Sequence, residues 1–310
     1  MDNILFVPTV SDTIWMQDFS QGKSFATLPI AGRRYIDYAF ECAQRYGVLF
    51  TEILDWQFSK ELAVEFSDLT RTGYPVFYQK GEGEIPKGLN ALNDIRYSPL
   101  TQELSDGLVA VWGICLTTHK LEDISFEPVP PEECENTPSG IYRRDNGRWM
   151  RILPRGLTVR NTEGWHKMNM VVLHNSTSFT LPGYSAEEGV HLGRNVVLEH
   201  GTEVKKPVIL SDNSWCARNV HLDGDVIIGK GSLVSEGARL KRTVVCDDTF
   251  IGEGLELEDK IVFGRRIIDV ATGAWTDIEE PGVARSISRG GNIFTAFWRF
   301  LQGASRGRRV

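Results

Sequence analysis

From Val190 onward the chain repeats with a period of six. Leu192, Leu198, Val204, Leu210, Cys216, Leu222, Ile228, Val234, Leu240 and Cys246 are all apolar. Two residues before each stands a small or β-branched side chain: Val190, Val196, Thr202, Val208, Ser214, Val220, Val226, Ser232, Ala238 and Val244. The residue after each large one is small or polar, as at Gly193, Ser211, Asp223 and Asp247. Positions two apart face the same side of a strand. Two inward residues per six fit short strands separated by sharp turns, three to a coil, with stacked coils sharing one core. Gly201, Gly224, Gly229, Gly231 and Gly237 fall between strands, where a left-handed backbone is needed. An ordinary antiparallel sheet does not hold one period this long. The reading is a parallel β-helix. Its register slips by one after Cys246 and resumes at Ile251, Leu257 and Phe263.

The chain has 310 residues, 41% hydrophobic and 10% aromatic, enough for two cores. A net charge of −7 argues against nucleic acid as a partner. The N-terminus carries an acidic Asp2 and only a short apolar run, so it does not read as a signal peptide. No segment approaches eighteen consecutive apolar residues. Cys42, Cys115, Cys134, Cys216 and Cys246 are widely spaced and contain no C-x-x-C, against a disulfide framework or zinc site. A cytoplasmic location is expected, with peripheral membrane contact open.

Before the repeat, residues 4–10 and 48–54 read as strands, and Leu108–Leu116 as another buried one. Ile36, Ala39, Phe40 and Ala43 recur at helical spacing over 36–46, with Gly47 at the C-cap position. Strand, helix, strand predicts an α/β unit with a parallel sheet. Glu122–Arg148, rich in Pro, Glu, Asn and Gly, reads as loop or linker.

The stretch Leu28-Pro-Ile-Ala-Gly-Arg-Arg-Tyr-Ile-Asp-Tyr-Ala-Phe40, followed by Gly47, resembles the signature of sugar-1-phosphate nucleotidyltransferases, most closely glucose-1-phosphate adenylyltransferases and their regulatory relatives. A second likeness runs from Val159 to Val190: Thr162, Trp165, Asn169, Leu173, Pro182-Gly183 and Val190 resemble the junction between catalytic domain and β-helix in those enzymes. The resemblance implies a Rossmann-like α/β domain over 1–158, a junction over 159–189 and a left-handed β-helix over 190–282. It also implies that NTP and sugar-1-phosphate are converted to NDP-sugar and pyrophosphate with Mg²⁺.

The chain departs from that pattern where the chemistry lies. The family's Gly-rich phosphate loop follows strand one, yet the residues here are Val7-Pro-Thr-Val-Ser-Asp-Thr-Ile-Trp-Met16, and no glycine occurs before Gln21. Ile114, after Gly113, stands where the family carries its metal-binding Asp. An isoleucine does not ligate Mg²⁺, so no metal ligand is assigned. The interval from Cys115 to Val159 is short for the family's sugar-binding half. These departures read as a degenerate, catalytically impaired domain, with a regulatory or structural role open. Lys23 matches the family's phosphate-binding lysine, and Arg33 and Arg34 are the other candidates for phosphate contact; solvated surface side chains are the alternative for all three.

Hexapeptide β-helices also carry acyltransferases, which use a His general base with acyl-CoA. His191, His200 and His221 are the candidates. His191 and His221 precede large inward residues and so are expected to point outward. That same position is what a polar outer face provides. Trp215 is expected outward too, as part of an interface with a second copy or a protein partner. The tail over 283–310 carries Ile293, Phe297, Phe300 and Leu301 on one helical face, flanked by Arg306, Arg308 and Arg309. Packing on its own domain, an anionic membrane surface and a partner are the three readings of this segment.

Overall fold

The structure, a computed structural model, describes residues 3–9, 12, 15–16, 23–48, 50–71, 75–93, 106–119, 123–153 and 156–287. It divides into two units, Met1–Thr180 and Leu181–Val310.

In the first unit the apolar runs become β1 (Asn3–Val7), β2 (Phe50–Asp55), β3 (Val76–Lys80) and β4 (Val109–Trp112). They lie side by side in the order β3-β2-β1-β4, all parallel. Glu122–Arg148 is not the linker the sequence led us to expect. It forms β5 (Ser125–Pro128) and a short helix α3 (Pro131–Glu135), then β6 (Gly140–Asp145), which turns into β7 (Arg148–Leu153). These strands extend the sheet antiparallel beyond β4, in the order β4-β6-β7-β5. The turn-forming residues misled the sequence reading. Pro131 opens a helix, where a missing N–H costs nothing. Asn146-Gly147 is a tight hairpin with both φ positive, 47° and 74°.

Helix α1 (Tyr35–Arg45) forms where the spacing predicts, and Gly47 follows in the left-handed region, φ 66°. Helix α2 (Lys60–Arg71) joins β2 to β3. Alternation splits the sheet's faces. Phe6 meets Phe40 of α1 edge-on, and Phe40 meets Phe66 of α2 at 5.7 Å. Leu5, Val7, Ala110 and Trp112 share a core with Leu89, Leu92 and Cys134. Leu108–Leu116 is broken at Gly113, whose φ is 84°; Ile114–Leu116 turns away to pair with Leu157–Val159.

Helix α4 (Thr162–His174) completes the unit, capped by Asn161, whose side chain accepts the Gly164 N–H at 2.8 Å. Its Trp165 indole donates to the Pro29 carbonyl (2.7 Å), and Asn169 Oδ1 accepts the Ala31 N–H (2.7 Å). The two segments that carry the family resemblance therefore hold each other.

The second unit is the β-helix. One wall stacks Val190–Leu192, Val208–Leu210, Val226–Ile228, Thr243–Val245 and Lys260–Phe263 in parallel register. The second wall stacks Val197–Leu198, Trp215–Cys216, Leu233–Val234 and Thr249–Ile251. The third stacks Glu203–Lys205, His221–Asp223, Arg239–Lys241 and Glu256–Glu258. Leu210, Cys216, Leu222, Ile228, Val234 and Leu240 fill the core as predicted. The slip comes earlier than Cys246. Val245 and Val262 take the inward places expected of Cys246 and Phe263. The cause is a shortened corner: Gly224-Asp225 turns one coil into the next with two left-handed residues, whereas Arg242 (φ 43°) and Asp259 (φ 53°) each do so alone. Elsewhere Asn and Asp share the left-handed corner positions with glycine. Asn195, Asn213, Gly231 and Asp248 occupy one column, all with φ between 52° and 70°.

Tyr184–Glu187 lies antiparallel on the first coil, and Arg266–Asp269 and Ala284–Ser286 pair antiparallel with the last. The tail helix expected around Ile293–Leu301 lies outside the described residues. Among the described residues no helix is long and apolar enough to cross a membrane.

Candidate functional site

In an open α/β sheet, ligands bind beyond the carboxyl ends of the strands where the strand order reverses. Here β1 is that strand, with β2 on one side and β4 on the other. The residues beyond it are Thr9, Asp12 and, from β4, Gly113. Thr9 and Asp12 form a reciprocal capping box. Asp12 Oδ2 accepts the Thr9 N–H at 2.8 Å and the Thr9 hydroxyl at 2.7 Å, and the Asp12 N–H returns to Thr9 Oγ1 at 3.2 Å. The carboxylate is fully buried and packs against Gly113. A Cβ built on Gly113 would stand 3.0 Å from Asp12 Oδ2 and 2.9 Å from Ser139 Oγ. Burial raises the Asp12 pKa, against the opposing pull of the Thr9 hydrogen bonds, the Trp15 indole and the charge of Arg160. The exposed Arg160 reaches the Ser139 carbonyl at 3.4 Å.

Ile114 is fully buried and paired with Val159. Among the described residues no cluster of three or more His, Cys, Asp or Glu side chains is placed to hold a metal. The described side chains at this edge do not fit a Mg²⁺ site.

On the other side of β1, Asp55 ends β2 fully buried. It accepts the Tyr78 hydroxyl (2.7 Å) and the Gln57 N–H (2.8 Å), while Tyr78 accepts the Ser59 N–H (3.0 Å). Burial, with Asp55 beside it, pushes the Tyr78 phenol well up. Ser24, next to the exposed Lys23, also contacts this phenol. Of the three predicted phosphate cations, both arginines are held by acids, and Lys23 is exposed. Arg33 pairs with Glu41 (2.5 Å) and the Thr180 carbonyl (2.7 Å). Arg34 forks between Asp37 and Glu65, each at 2.7 Å.

The two histidines sit on different walls. His221 lies on the third wall, its Nδ1 3.1 Å from Glu203 Oε2, with Arg239 above it in register. That wall is cross-linked by charge: Asp223 meets Lys205 (2.8 Å) and Arg239 (3.6 Å), and Lys241 meets Glu258 (2.9 Å). His191 belongs to the first wall, in register with the buried Ile209, Ile227, Val244 and Ile261. Burial pushes its imidazole down, toward the neutral form. His200 is exposed. Trp215 is half-buried on the second wall, with its indole N–H on Glu199 (3.2 Å).

Sequence reading passed over Asp12. The signal was present: Thr9-x-x-Asp12 directly after a buried strand is a capping-box spacing.

No protein-family model matches the chain. It is similar to UTP–glucose-1-phosphate uridylyltransferase of Synechocystis sp. (strain ATCC 27184 / PCC 6803 / Kazusa), 29% identical over 213 residues that cover 58% of this chain and 55% of that protein. It is 31% identical over 107 residues to bifunctional protein GlmU of Paraburkholderia phymatum, covering 32% of this chain and 22% of that one. It is 29% identical over 119 residues to 2,3,4,5-tetrahydropyridine-2,6-dicarboxylate N-succinyltransferase of Caulobacter vibrioides, covering 30% of this chain and 42% of that one. The chain spans about half the length of the first of these relatives and less of the other two. The likenesses support the sugar-1-phosphate nucleotidyltransferase superfamily for the chain, with acyltransferase likeness alongside.

Proposed function

We propose that this protein is a nucleotidyltransferase-like member of NDP-sugar or polysaccharide metabolism that has lost nucleotidyl transfer and serves a regulatory or structural role. Within the superfamily, Leu28–Phe40 favours kinship with glucose-1-phosphate adenylyltransferases and their regulatory relatives. One observation carries the reading: at the switch point, the Thr9 N–H and hydroxyl bind Asp12, and the Asp12 carboxylate lies on Gly113. Phosphate cradles need free backbone N–H groups and net positive charge. Here the donors are spent on a carboxylate, which repels phosphate. Lys23, Arg33 and Arg34 remain the side chains proposed for any phosphate contact the unit retains, and Mg²⁺ belongs only to that case. The test is incubation at high protein concentration with NTPs, sugar-1-phosphates and Mg²⁺. No pyrophosphate above background is expected; stoichiometric or faster release overturns the proposal.

A second reading rests on the His221–Glu203 contact. A carboxylate on Nδ1 fixes the imidazole tautomer that accepts a proton at Nε2, the arrangement of a general base. Acyl-CoA turnover that disappears in His221→Ala supports acyl transfer on the third wall. Turnover that disappears only in His191→Ala moves it to the first. Assembly through the β-helix, with itself or with a partner, belongs to the same proposal; the oligomeric state in solution tests it.

A further inference from the structure

We infer that the outer face of the second β-helix wall is the seat of the chain's own C-terminal segment, residues 293–301. The inference is independent of whether the first unit transfers nucleotides. Val197, Trp215, Leu233 and Phe250 stack in register along that wall. Each stands one residue before an inward position, so strand alternation turns it away from the core. Cys216, Val234 and Ile251, their inward neighbours, belong to the β-helix core. The matching outward column of the third wall is Glu203, His221, Arg239 and Glu256, the polar set of a solvated wall. The second wall's column is apolar, and Leu233 is 9% exposed and Phe250 2% although both point outward. Val197 and Trp215 continue it half-buried. An outward apolar column of this length is built to be covered. The first wall's outward Ile209, Ile227, Val244 and Ile261 are apolar too, and they are fully buried already.

Attachment, length, face and charge all fit the segment to this seat. Ala284–Ser286 lies antiparallel on Thr249–Ile251, with the Arg285 guanidinium 4.8 Å from the centre of the Phe250 ring. The Ile287 N–H then donates to the Asp248 carbonyl at 2.6 Å. The chain therefore leaves the described residues at the last coil of the second wall. Ser288 to Asn292, with Gly290-Gly291, supply a reversal. Four strands about 4.8 Å apart make a column of roughly 14 Å. Nine helical residues, 293–301, span about 13.5 Å. Ile293, Phe297, Phe300 and Leu301 line one side of such a helix, an apolar stripe for an apolar column. Residues 288–310 hold five arginines and no Asp or Glu. The corner that leaves the second wall carries Glu199, Glu236 and Glu253 against Arg218. An anionic membrane would select the same stripe and the same arginines, but it gives no account of the apolar column on the wall.

The experiment is limited trypsin digestion of the full chain, with cleavage after Arg299 followed by mass spectrometry. Leu233→Glu places a charge in the seat, with folding checked by circular dichroism and thermal melting. Phe297→Ser combined with Phe300→Ser loosens the segment and leaves the wall intact, which covers the case in which Leu233→Glu fails to fold. Arg299 is expected to be cut slowly in the unaltered protein and at least about tenfold faster in each folded variant, because cleavage tracks the released population. Arg306, Arg308 and Arg309, beyond Gly303, are expected to be cut at one rate in all of them. Equal cleavage after Arg299 in the unaltered protein and the folded variants overturns the inference. Protection that fades on dilution also overturns it, since the segment then sits on a second copy. So does protection that arises only with phosphatidylserine-containing vesicles, since the partner is then an anionic membrane. Pyrophosphate release by the unaltered protein defeats the functional reading and leaves the seat unaffected.

Discussion

Asn169 on α4 accepts the backbone N–H of Ala31 at 2.7 Å, across 138 residues of sequence, and both residues are buried. Ala31 is left-handed, φ 42°, in the turn that presents Arg33 and Arg34. The Asn169 amide N–H₂ is satisfied by the Trp165 carbonyl at 2.8 Å. Replacing Asn169 by Ala leaves the Ala31 N–H buried without an acceptor, at a cost of about 1–3 kcal/mol. Urea unfolding of the first unit should show the lower midpoint. Asn169→Asp should recover part of the loss, since a carboxylate oxygen still accepts that N–H.

Gly81 lies under the indole of Trp56. A Cβ at Gly81 would meet the ring at 2.3 Å, and the indole N–H is tied to the Gly83 carbonyl at 3.0 Å. Gly81→Ala is expected to destabilise by about 1–3 kcal/mol, the usual range for overpacking. Adding Trp56→Leu should return most of that loss. Equal melting temperatures for Gly81→Ala and the parent would show that the ring moves aside freely.

Leu222 is fully buried inside the β-helix, stacked in register between Val204 and Leu240. Leu222→Ala should cost about 2–5 kcal/mol, because coils on both sides limit collapse of the cavity. Arg194→Ala, at a corner side chain 88% exposed, should change stability by less than about 1 kcal/mol despite its pairing with Asp212. Denaturant titration of the two variants checks the contrast.

The two units should respond to acid with opposite signs at named carboxylates. Asp212 is held below the usual carboxylate range by the Arg194 backbone N–H, Asp223 by Lys205, Asp277 by Arg266 and Asp269 by Lys260. Each binds its proton more weakly folded than unfolded. Their contribution is full above the unfolded carboxylate pKa, about 3.9, and is lost as pH falls below it. The melting temperature of the second unit should therefore be flat near neutrality and fall steeply below about pH 4. Lys260→Met should shallow that fall. Asp12 is raised by burial, so its contribution is greatest below the unfolded value and declines as pH rises through the folded one. Asp12→Asn should remove that decline from the first unit's pH profile.

Legibility in the sequence followed periodicity. Helix α1 was readable because Ile36, Ala39, Phe40 and Ala43 mark one face and Gly47 ends it. Most β-helix core positions were readable because inward and outward residues differ in polarity on the third wall, where Glu203, His221, Arg239 and Glu256 face out. The slip was misplaced because the first wall lacks that contrast. Val244 is 2% exposed and Val245 is fully buried, so apolar character does not say which one points inward. Only the one-residue corner at Arg242 does.

The sequence by itself determined the repeat, the two segments of family likeness and the absence of a glycine loop after β1. Local chemistry suffices for these, since each is written in neighbouring residues. Tertiary structure decided the rest. It turned Glu122–Arg148 from linker into sheet, because antiparallel strands with one wet face carry polar residues freely. It tied Arg33 to Glu41 and Arg34 to Asp37 and Glu65, and it set His191 and His221 on different walls. It brought Asp12 onto Gly113 and Asn169 onto Ala31. Such contacts join residues far apart along the chain, and no spacing in the sequence records them.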